Sequence, residues 1–126
     1  MQPIFSVDAF RTTSLSQNIT ANNLANLNTD EFKAQRLDRE TGPDGMGVRP
    51  AQVVTDTSPG PAIQRQELIE NEQGRTEARE MTVEGSNTDI ANEITTMITD
   101  QVAMEANAEV VRTYDNMAGR IIDMIV

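Results

Sequence analysis

The chain has 126 residues, room for one domain, and carries a net charge of −10 with only 3% aromatic residues. Because it lacks both Cys and His, disulfides, thiolate or imidazole metal sites and Cys or Ser–His nucleophiles are excluded. The acidic balance disfavours nucleic acid and anionic lipid as partners. No apolar run approaches the length of about 18 residues that a membrane-spanning helix needs, so we expect no direct membrane insertion.

The first segment, residues 1–29, predicts a helix with a polar face. Leu15, Ile19, Asn22 and Asn26 are separated by four, three and four residues, the spacing of one helix face. Asn is a poor residue for a helix interior, so this helix should be unstable alone. The polar face could form hydrogen bonds with other chains, or the helix could be solvated and frayed, and the periodicity does not separate these alternatives.

The middle segment, residues 30–86, predicts extended chain interrupted by turns. Two extended stretches, Phe32–Asp38 and Gly47–Asp56, flank a Gly-Pro-Asp-Gly turn signal. Ile63–Ile69 is a candidate third strand, and residues 70–85 are too charged to bury much surface. We therefore expect at most a small β-hairpin docked on the helices and a partly flexible remainder.

The last segment, residues 87–126, predicts one long helix. The sequence Ser-Asn-Thr-Asp at residues 86–89 is a typical helix start, with Ser or Asn as the N-cap and Asp near the positive end of the dipole. Eleven positions then follow at steps of four and three, and we call them the C-terminal seam: Ile90, Ile94, Met97, Gln101, Met104, Ala108, Val111, Asp115, Ala118, Ile122 and Ile125. This period of 3.5 favours a coiled-coil interface, and an ordinary amphipathic helix in a bundle is the alternative.

The sequence offers little catalytic chemistry. Several glutamates between residues 67 and 84 could form a carboxylate pair or a site for a hard metal ion, but solvated surface charge explains them better. No calcium loop, phosphate-binding loop or dinucleotide fingerprint is present. We therefore expect no enzyme activity, no cofactor and no metal site.

Two motifs resemble one known family. The run Ala-Asn-Asn-Leu-Ala-Asn-Leu-Asn-Thr at residues 21–29, followed by Glu31-Phe32-Lys33, is similar to the N-terminal motif of the bacterial flagellar axial proteins, which build the rod and the hook. The run from Ser86 to Ile90, together with Gln101 and the Glu-Ala-Asn-Ala at residues 105–108, resembles the C-terminal motif of the same family. The short middle segment makes the chain most like a small proximal rod protein.

The resemblance implies a function and a place in the cell. The chain would be a structural subunit of the flagellar basal-body rod that polymerises through its terminal helices into the axial drive shaft. Its partners would be copies of itself, other rod and axial subunits, and the flagellar type III export apparatus. It would reach the basal body without a cleaved signal peptide. The alternative is a coiled-coil adaptor or export-linked binding protein that does not polymerise.

The expected fold is mainly α, with long N- and C-terminal helices forming a coiled-coil-like hairpin around a small extended or β-hairpin middle segment. We expect the two helices to pack antiparallel, with Gln101 bonded to the Asn22–Asn26 stripe. Asp115 should pair with an arginine such as Arg11 or lie where the seam opens to solvent. The candidate assembly residues are Leu15, Ile19, Asn22, Asn23, Asn26, Asn28, Ile90, Ile94, Met97, Gln101, Met104, Asn107, Ala108, Val111, Ala118, Ile122 and Ile125.

Overall fold

The computed structural model describes residues 4–125. The outermost positions of the first and last predicted segments, residues 1–3 and 126, lie outside the described residues. The elements, in chain order, are α1 (Ile4–Ala25), β1 (Gln35–Thr41), β2 (Val48–Thr55), β3 (Ala62–Glu70), β4 (Thr76–Glu84) and α2 (Ile90–Ile125).

The expectation of a mainly α fold, a coiled-coil-like hairpin of long helices with a small extended middle, is wrong. The described residues are 50% helical and 27% strand, and their strands form two separate two-stranded antiparallel sheets. Strand β4 occupies most of residues 70–85, a stretch whose charge had suggested loose chain. A hairpin pairs its backbone groups between its own strands, so it can form even when its side chains are charged and neither face is covered.

The two helices pack antiparallel and differ in length. Asn23, near the end of α1, contacts Glu93 in the first turn of α2. Phe10, near the start of α1, lies beside Asn107 and Val111. With about 1.5 Å per residue, α1 extends roughly 33 Å and α2 roughly 54 Å. The last turns of α2 therefore extend beyond the described part of α1.

The face that α1 buries is polar, which is unusual for a helix interface. Its fully buried side chains are small hydroxyl and amide groups, and Ile19 is the one buried hydrophobic residue among residues 5–125. The hydroxyls of Thr12 and Thr13 each donate to a carbonyl of the preceding turn at 2.8 Å, so burial leaves neither unsatisfied. Such an interface gains little from the hydrophobic effect. The buried polar residues of this face are Thr12, Thr13, Ser16, Thr20 and Asn23.

The first hairpin, β1–β2, packs against α1. Its register runs from Gln35 opposite Thr55 to Thr41 opposite Val48 and shifts between Asp38 and Arg39. A short 3-10 turn over Pro43–Gly45 joins the strands, at the turn signal that the sequence contains. After the bulge, the part of β1 that begins at Arg39 reaches α2, where Arg39 contacts Asp100.

The second hairpin, β3–β4, projects from the helices and packs almost entirely on itself. Its register is continuous from Ala62 opposite Glu84 to Glu70 opposite Thr76, and nearly all of its residues are exposed. Where the chain enters and leaves the hairpin, Gly60 lies directly against the Gly85 carbonyl, and a side chain at Gly60 would collide with it. Glycine at this position thus permits the two segments to cross at the hairpin base.

Candidate assembly surface and the contacts that support it

Asn23 joins three elements in the centre of the molecule. Its Nδ2 donates to the Gln35 carbonyl at 2.7 Å and to Oε1 of Glu93 at 2.8 Å. Its Oδ1 accepts from the Gln35 amide at 2.9 Å. The side chain is completely buried and all of these bonds are satisfied. A single asparagine therefore fixes α1 to the start of β1 and to the first turn of α2.

Asn87 plays a similar part just before α2. Its Oδ1 accepts from the Ala34 amide at 2.7 Å, and its Nδ2 donates to the Asp56 and Ser58 carbonyls at 2.9 and 3.0 Å. Because this side chain is committed to the first hairpin, it is not the N-cap that the sequence suggested. The cap is Asp89, whose Oδ1 accepts from the amides two and three residues further on, at 2.9 and 3.3 Å.

A buried ion pair joins the first hairpin to α2. Arg39, directly after the bulge in β1, donates from Nη2 to Oδ1 of Asp100 at 2.6 Å. Asp100 is only 1% exposed, and its Oδ2 has no hydrogen-bond partner among the described residues. A buried carboxylate depends strongly on its counter-ion, so this contact locks the hairpin to the helix.

The base of the second hairpin is held by a charged contact. Glu84 accepts from the Lys33 ammonium and from the Gly60 amide, the latter at 2.7 Å. The hydrogen bond from Lys33, and then that from Gly60, hold the pKa of the Glu84 carboxyl below its ordinary value. Both side chains are partly exposed, so this contact is weaker than the Arg39–Asp100 pair.

On α1, the candidate assembly residues divide between interior and surface. Ile19 and Asn23 are buried, whereas Leu15, Asn22 and Asn28 are exposed. Asn26 is half-buried, and it donates to the Asn22 carbonyl at 2.9 Å. The asparagines of the motif thus serve local structure at residue 26 and the interior at residue 23.

On α2, the face toward α1 is rotated relative to the C-terminal seam. Glu93 and Asp100 lie on this inner face, between seam positions, and Gln101 is exposed and donates to Glu105 at 3.3 Å. Asp115 is exposed and has no ion-pair partner among residues 4–125. The candidate residues Met97, Met104, Asn107, Val111 and Ala118 are half-buried, whereas Ile90, Ile94, Gln101, Ala108, Ile122 and Ile125 are exposed.

The exposed side of α2 presents a long apolar surface. Ile94 is 46% exposed near the start of the helix, and Ile122 and Ile125 are 61% and 79% exposed near its end. Exposed apolar side chains in this number along one helix favour an interaction site in a soluble protein. We give the name outer α2 surface to these positions: Ile90, Ile94, Ile98, Val102, Val110, Met117, Ile121, Ile122, Met124 and Ile125.

The sequence pattern does not predict several of the residues that hold the helices and the first hairpin together. Arg39 and Asp100 lie 61 positions apart, and no local pattern connects them. The hydroxyl residues of α1 do carry a signal, because Thr12, Ser16 and Asn23 share one helix face. Their polarity concealed this signal, since helix faces are conventionally identified by hydrophobic residues.

The antiparallel helix pair thus buries mainly polar groups and leaves many large hydrophobic side chains of α2 exposed. Two family models match the chain: "Flagella basal body rod protein" over residues 5–33, and "Flagellar basal body rod FlgEFG protein C-terminal" over residues 80–124. The first covers α1 and the loop after it, and the second covers part of β4 and nearly all of α2. The chain is a member of the flagellar basal-body rod protein family.

Membership in this family gives the coarse function. The chain is a flagellar basal-body rod protein, located in the basal body, associated with other rod subunits and concerned with motility. The matched families are structural, and the non-enzymatic assignment rests on that membership. No curated protein matches the chain. In the part of the chain that the structure describes, neither helix is long and apolar enough to cross a membrane.

Proposed function

We propose that this protein is a structural subunit that polymerises through its terminal helices into the axial drive shaft of the flagellar rod. The observation that carries the proposal is the outer α2 surface, which continues past the described start of α1 with Met117, Ile121, Ile122 and Ile125 exposed. A monomer gains nothing by placing these side chains in water.

The distribution of apolar groups supports association over monomeric stability. The α1–α2 interface buries hydroxyls, amides and a carboxylate, whereas the large aliphatic side chains lie outside. Full burial of one such side chain contributes about 1.5–3 kcal/mol. Burying three or four of them against neighbouring subunits would contribute roughly 5–12 kcal/mol toward assembly, against the entropy cost of association.

The candidate assembly residues then have two roles. The half-buried residues of α2, such as Met97 and Met104, hold the helix against α1. The exposed candidates contact neighbouring subunits: Leu15, Asn22, Asn28, Ile90, Ile94, Gln101, Ala108, Ile122 and Ile125. A polar residue within an apolar interface, as Gln101 would be, can fix register between helices.

Delivery through the flagellar type III export apparatus, without a cleaved signal peptide, belongs to the same proposal. Export of this kind requires a chain that unfolds readily. The scarcity of buried hydrophobic residues supports it, because Ile19 is the one such residue among residues 5–125.

The proposal is tested by placing a charge on the outer α2 surface. Replacing Ile122, 61% exposed, by Asp should leave the monomer folded, with unchanged circular dichroism, but reduce self-association measured by sedimentation at least tenfold. A strain that carries this variant should be non-motile. Asn116→Asp makes the same change in charge at an exposed polar position of the same helix and should have little effect.

The opposite result would contradict polymerisation. If Ile122→Asp assembles like the unchanged protein and restores motility to a deletion strain, the outer α2 surface is not an assembly interface. A labelled protein that remains diffuse in the cell would instead support the adaptor that does not polymerise.

A further inference from the structure

A second surface, distant from the outer α2 surface, combines a groove with positive charge. The groove, of about 460 Å³, lies between the first half of α1 and the β1–β2 turn. Its apolar lining comes from both elements, and two guanidinium groups and the single carboxylate of Asp8 accompany it. The lining residues that matter here are Phe5, Leu15, Met46, Val48, Arg11 and Arg49.

The two arginines differ in their present contacts. Arg11 is exposed and forms no ion pair among the described residues. Arg49 donates to Glu40 at 2.7 Å, and both of those side chains are about half exposed. An exposed pair of this kind contributes little, so Arg49 can exchange one carboxylate for another at small cost.

One face of the projecting β3–β4 hairpin has the complementary chemistry. Leu68, 71% exposed, stands opposite Ala78 on this face. Because side chains alternate along a strand, Glu70 lies beside Leu68 toward the tip. Glu80 stands opposite Gln66 in the register, so it lies diagonally beside Leu68 on the side toward the hairpin base. The face is therefore a large apolar side chain between two carboxylates.

We propose that this face of the β3–β4 hairpin docks into the groove of a second copy of the chain. Leu68 enters the apolar groove, and Glu70 and Glu80 pair with the two guanidinium groups of Arg11 and Arg49. The proposal rests on the proposed function and adds a second, polar-rimmed contact to the helical one. An apolar centre with a charged rim is the usual anatomy of a specific protein interface.

The exposure of the hairpin face favours contact between copies. Leu68 is 71% exposed, so it does not occupy the groove of its own chain. The hairpin base is tied to the loop after α1, where Arg65 contacts Asp30 at 2.7 Å. A contact between two different surfaces of a subunit repeats from copy to copy without closing when the rotation allows, and so builds a filament.

Disulfide trapping tests the contact directly, because the chain contains no cysteine. Two full-length variants, Leu68→Cys and Leu15→Cys, are mixed under mild oxidation, and the linked peptides are identified by mass spectrometry. We expect a 15–68 disulfide in at least tenfold excess over the 68–116 disulfide formed by the control mixture of Leu68→Cys with Asn116→Cys, an exposed polar position of α2. Equal yields from the two mixtures would overturn the proposal.

Charge reversal tests the rim. Arg11→Glu should weaken self-association measured by sedimentation about tenfold, and the combination with Glu70→Arg or Glu80→Arg should restore most of it. Arg36→Glu makes the same change in charge on an exposed part of β1 outside the groove. If Arg36→Glu weakens association as much as Arg11→Glu, or neither glutamate reversal restores it, the pairing is wrong.

The outcome separates this proposal from the proposed function. If association depends on Ile122 but neither the disulfide nor the charge rescue appears, the hairpin contact is wrong and helical polymerisation stands. If the unchanged chain does not associate and the mixed cysteine variants yield no 15–68 disulfide, both proposals are wrong.

Discussion

The two β-hairpins of this chain are similar in size but differ in what holds them. The first, β1–β2, is attached to both helices through buried polar contacts: Asn23 binds the backbone of Gln35, and Arg39 binds Asp100. The second, β3–β4, has exposed faces and is attached at its base by the partly exposed Lys33–Glu84 contact.

The difference shows that strand pairing and docking have separate causes. Both hairpins pair their backbones, and the second does so in the more regular register. The contacts of the first involve the completely buried Asn23 and Asp100, whereas those of the second join partly exposed side chains. Docking in this protein therefore depends on a few buried polar residues, because neither hairpin has a strongly hydrophobic face to bury.

The largest expected effect comes from breaking the buried ion pair. Arg39→Ala leaves the Asp100 carboxylate buried without a counter-ion and should lower the free energy of unfolding by about 3 kcal/mol. We choose the low end of the usual range because the Arg39 side chain is 34% exposed. Urea denaturation followed by circular dichroism measures the change.

The matched control replaces both partners. Arg39→Met combined with Asp100→Leu removes both charges together and should restore most of the lost stability, since it leaves no uncompensated carboxylate. A double variant as unstable as Arg39→Ala would show that the shape of the pair, not its charge, holds the first hairpin.

A smaller loss is expected at Asn23. Asn23→Ala leaves the Gln35 amide and carbonyl without their side-chain partner and should cost about 2 kcal/mol in the free energy of unfolding. Hydrogen exchange should show faster exchange at the start of β1 while β3–β4 is unchanged. Asn22→Ala, at the exposed neighbouring position, should change stability by less than about 0.5 kcal/mol. Equal losses at the two positions would contradict the role given to Asn23.

The smallest effect concerns pH and the second hairpin. Because the folded state lowers the pKa of Glu84, its ionised form stabilises the fold above the ordinary carboxyl pKa. This stabilisation is lost as the pH falls through the lower folded value. Glu84→Gln should therefore be slightly less stable than the unchanged chain near pH 7, with the gap closing toward strongly acid pH in thermal denaturation. Glu72→Gln, at the exposed tip, is the control, and a gap that widens in acid would refute the argument.

The pattern along the chain predicted some elements well and missed others. Strand β2 and the turn before it follow closely from Gly and Pro signals, and β3 lies where Ile63–Ile69 suggested it. The sequence pattern does not predict strand β4, because its charged residues argue against burial and most strands bury at least one face. An exposed hairpin needs only a partner strand and a turn, which Asn71 supplies by accepting from the amides of Gln73 and Arg75.

The candidate assembly surface was likewise predicted only in part. The 3.5-residue period located the apolar positions of α2, but it placed Gln101 in the seam, whereas the inner face passes through Glu93 and Asp100. A helix packs against its partner with the face whose polar groups can form hydrogen bonds or ion pairs with that partner. Here the partners are a polar face of α1 and Arg39 of β1, so the inner face of α2 includes an amide-bound glutamate and a paired aspartate.

The sequence by itself determined the two terminal helices, the turn of the first hairpin and the family, because each of these depends on residues that are close together in the chain. Tertiary structure alone decided which side of α2 faces inward, and that Asn23, Arg39 and Asp100 hold the molecule together. Those contacts join residues up to 70 positions apart. The free energy of these contacts depends on how deeply the groups are buried and on which groups they bind. Neither property can be read from the spacing of residues along the chain.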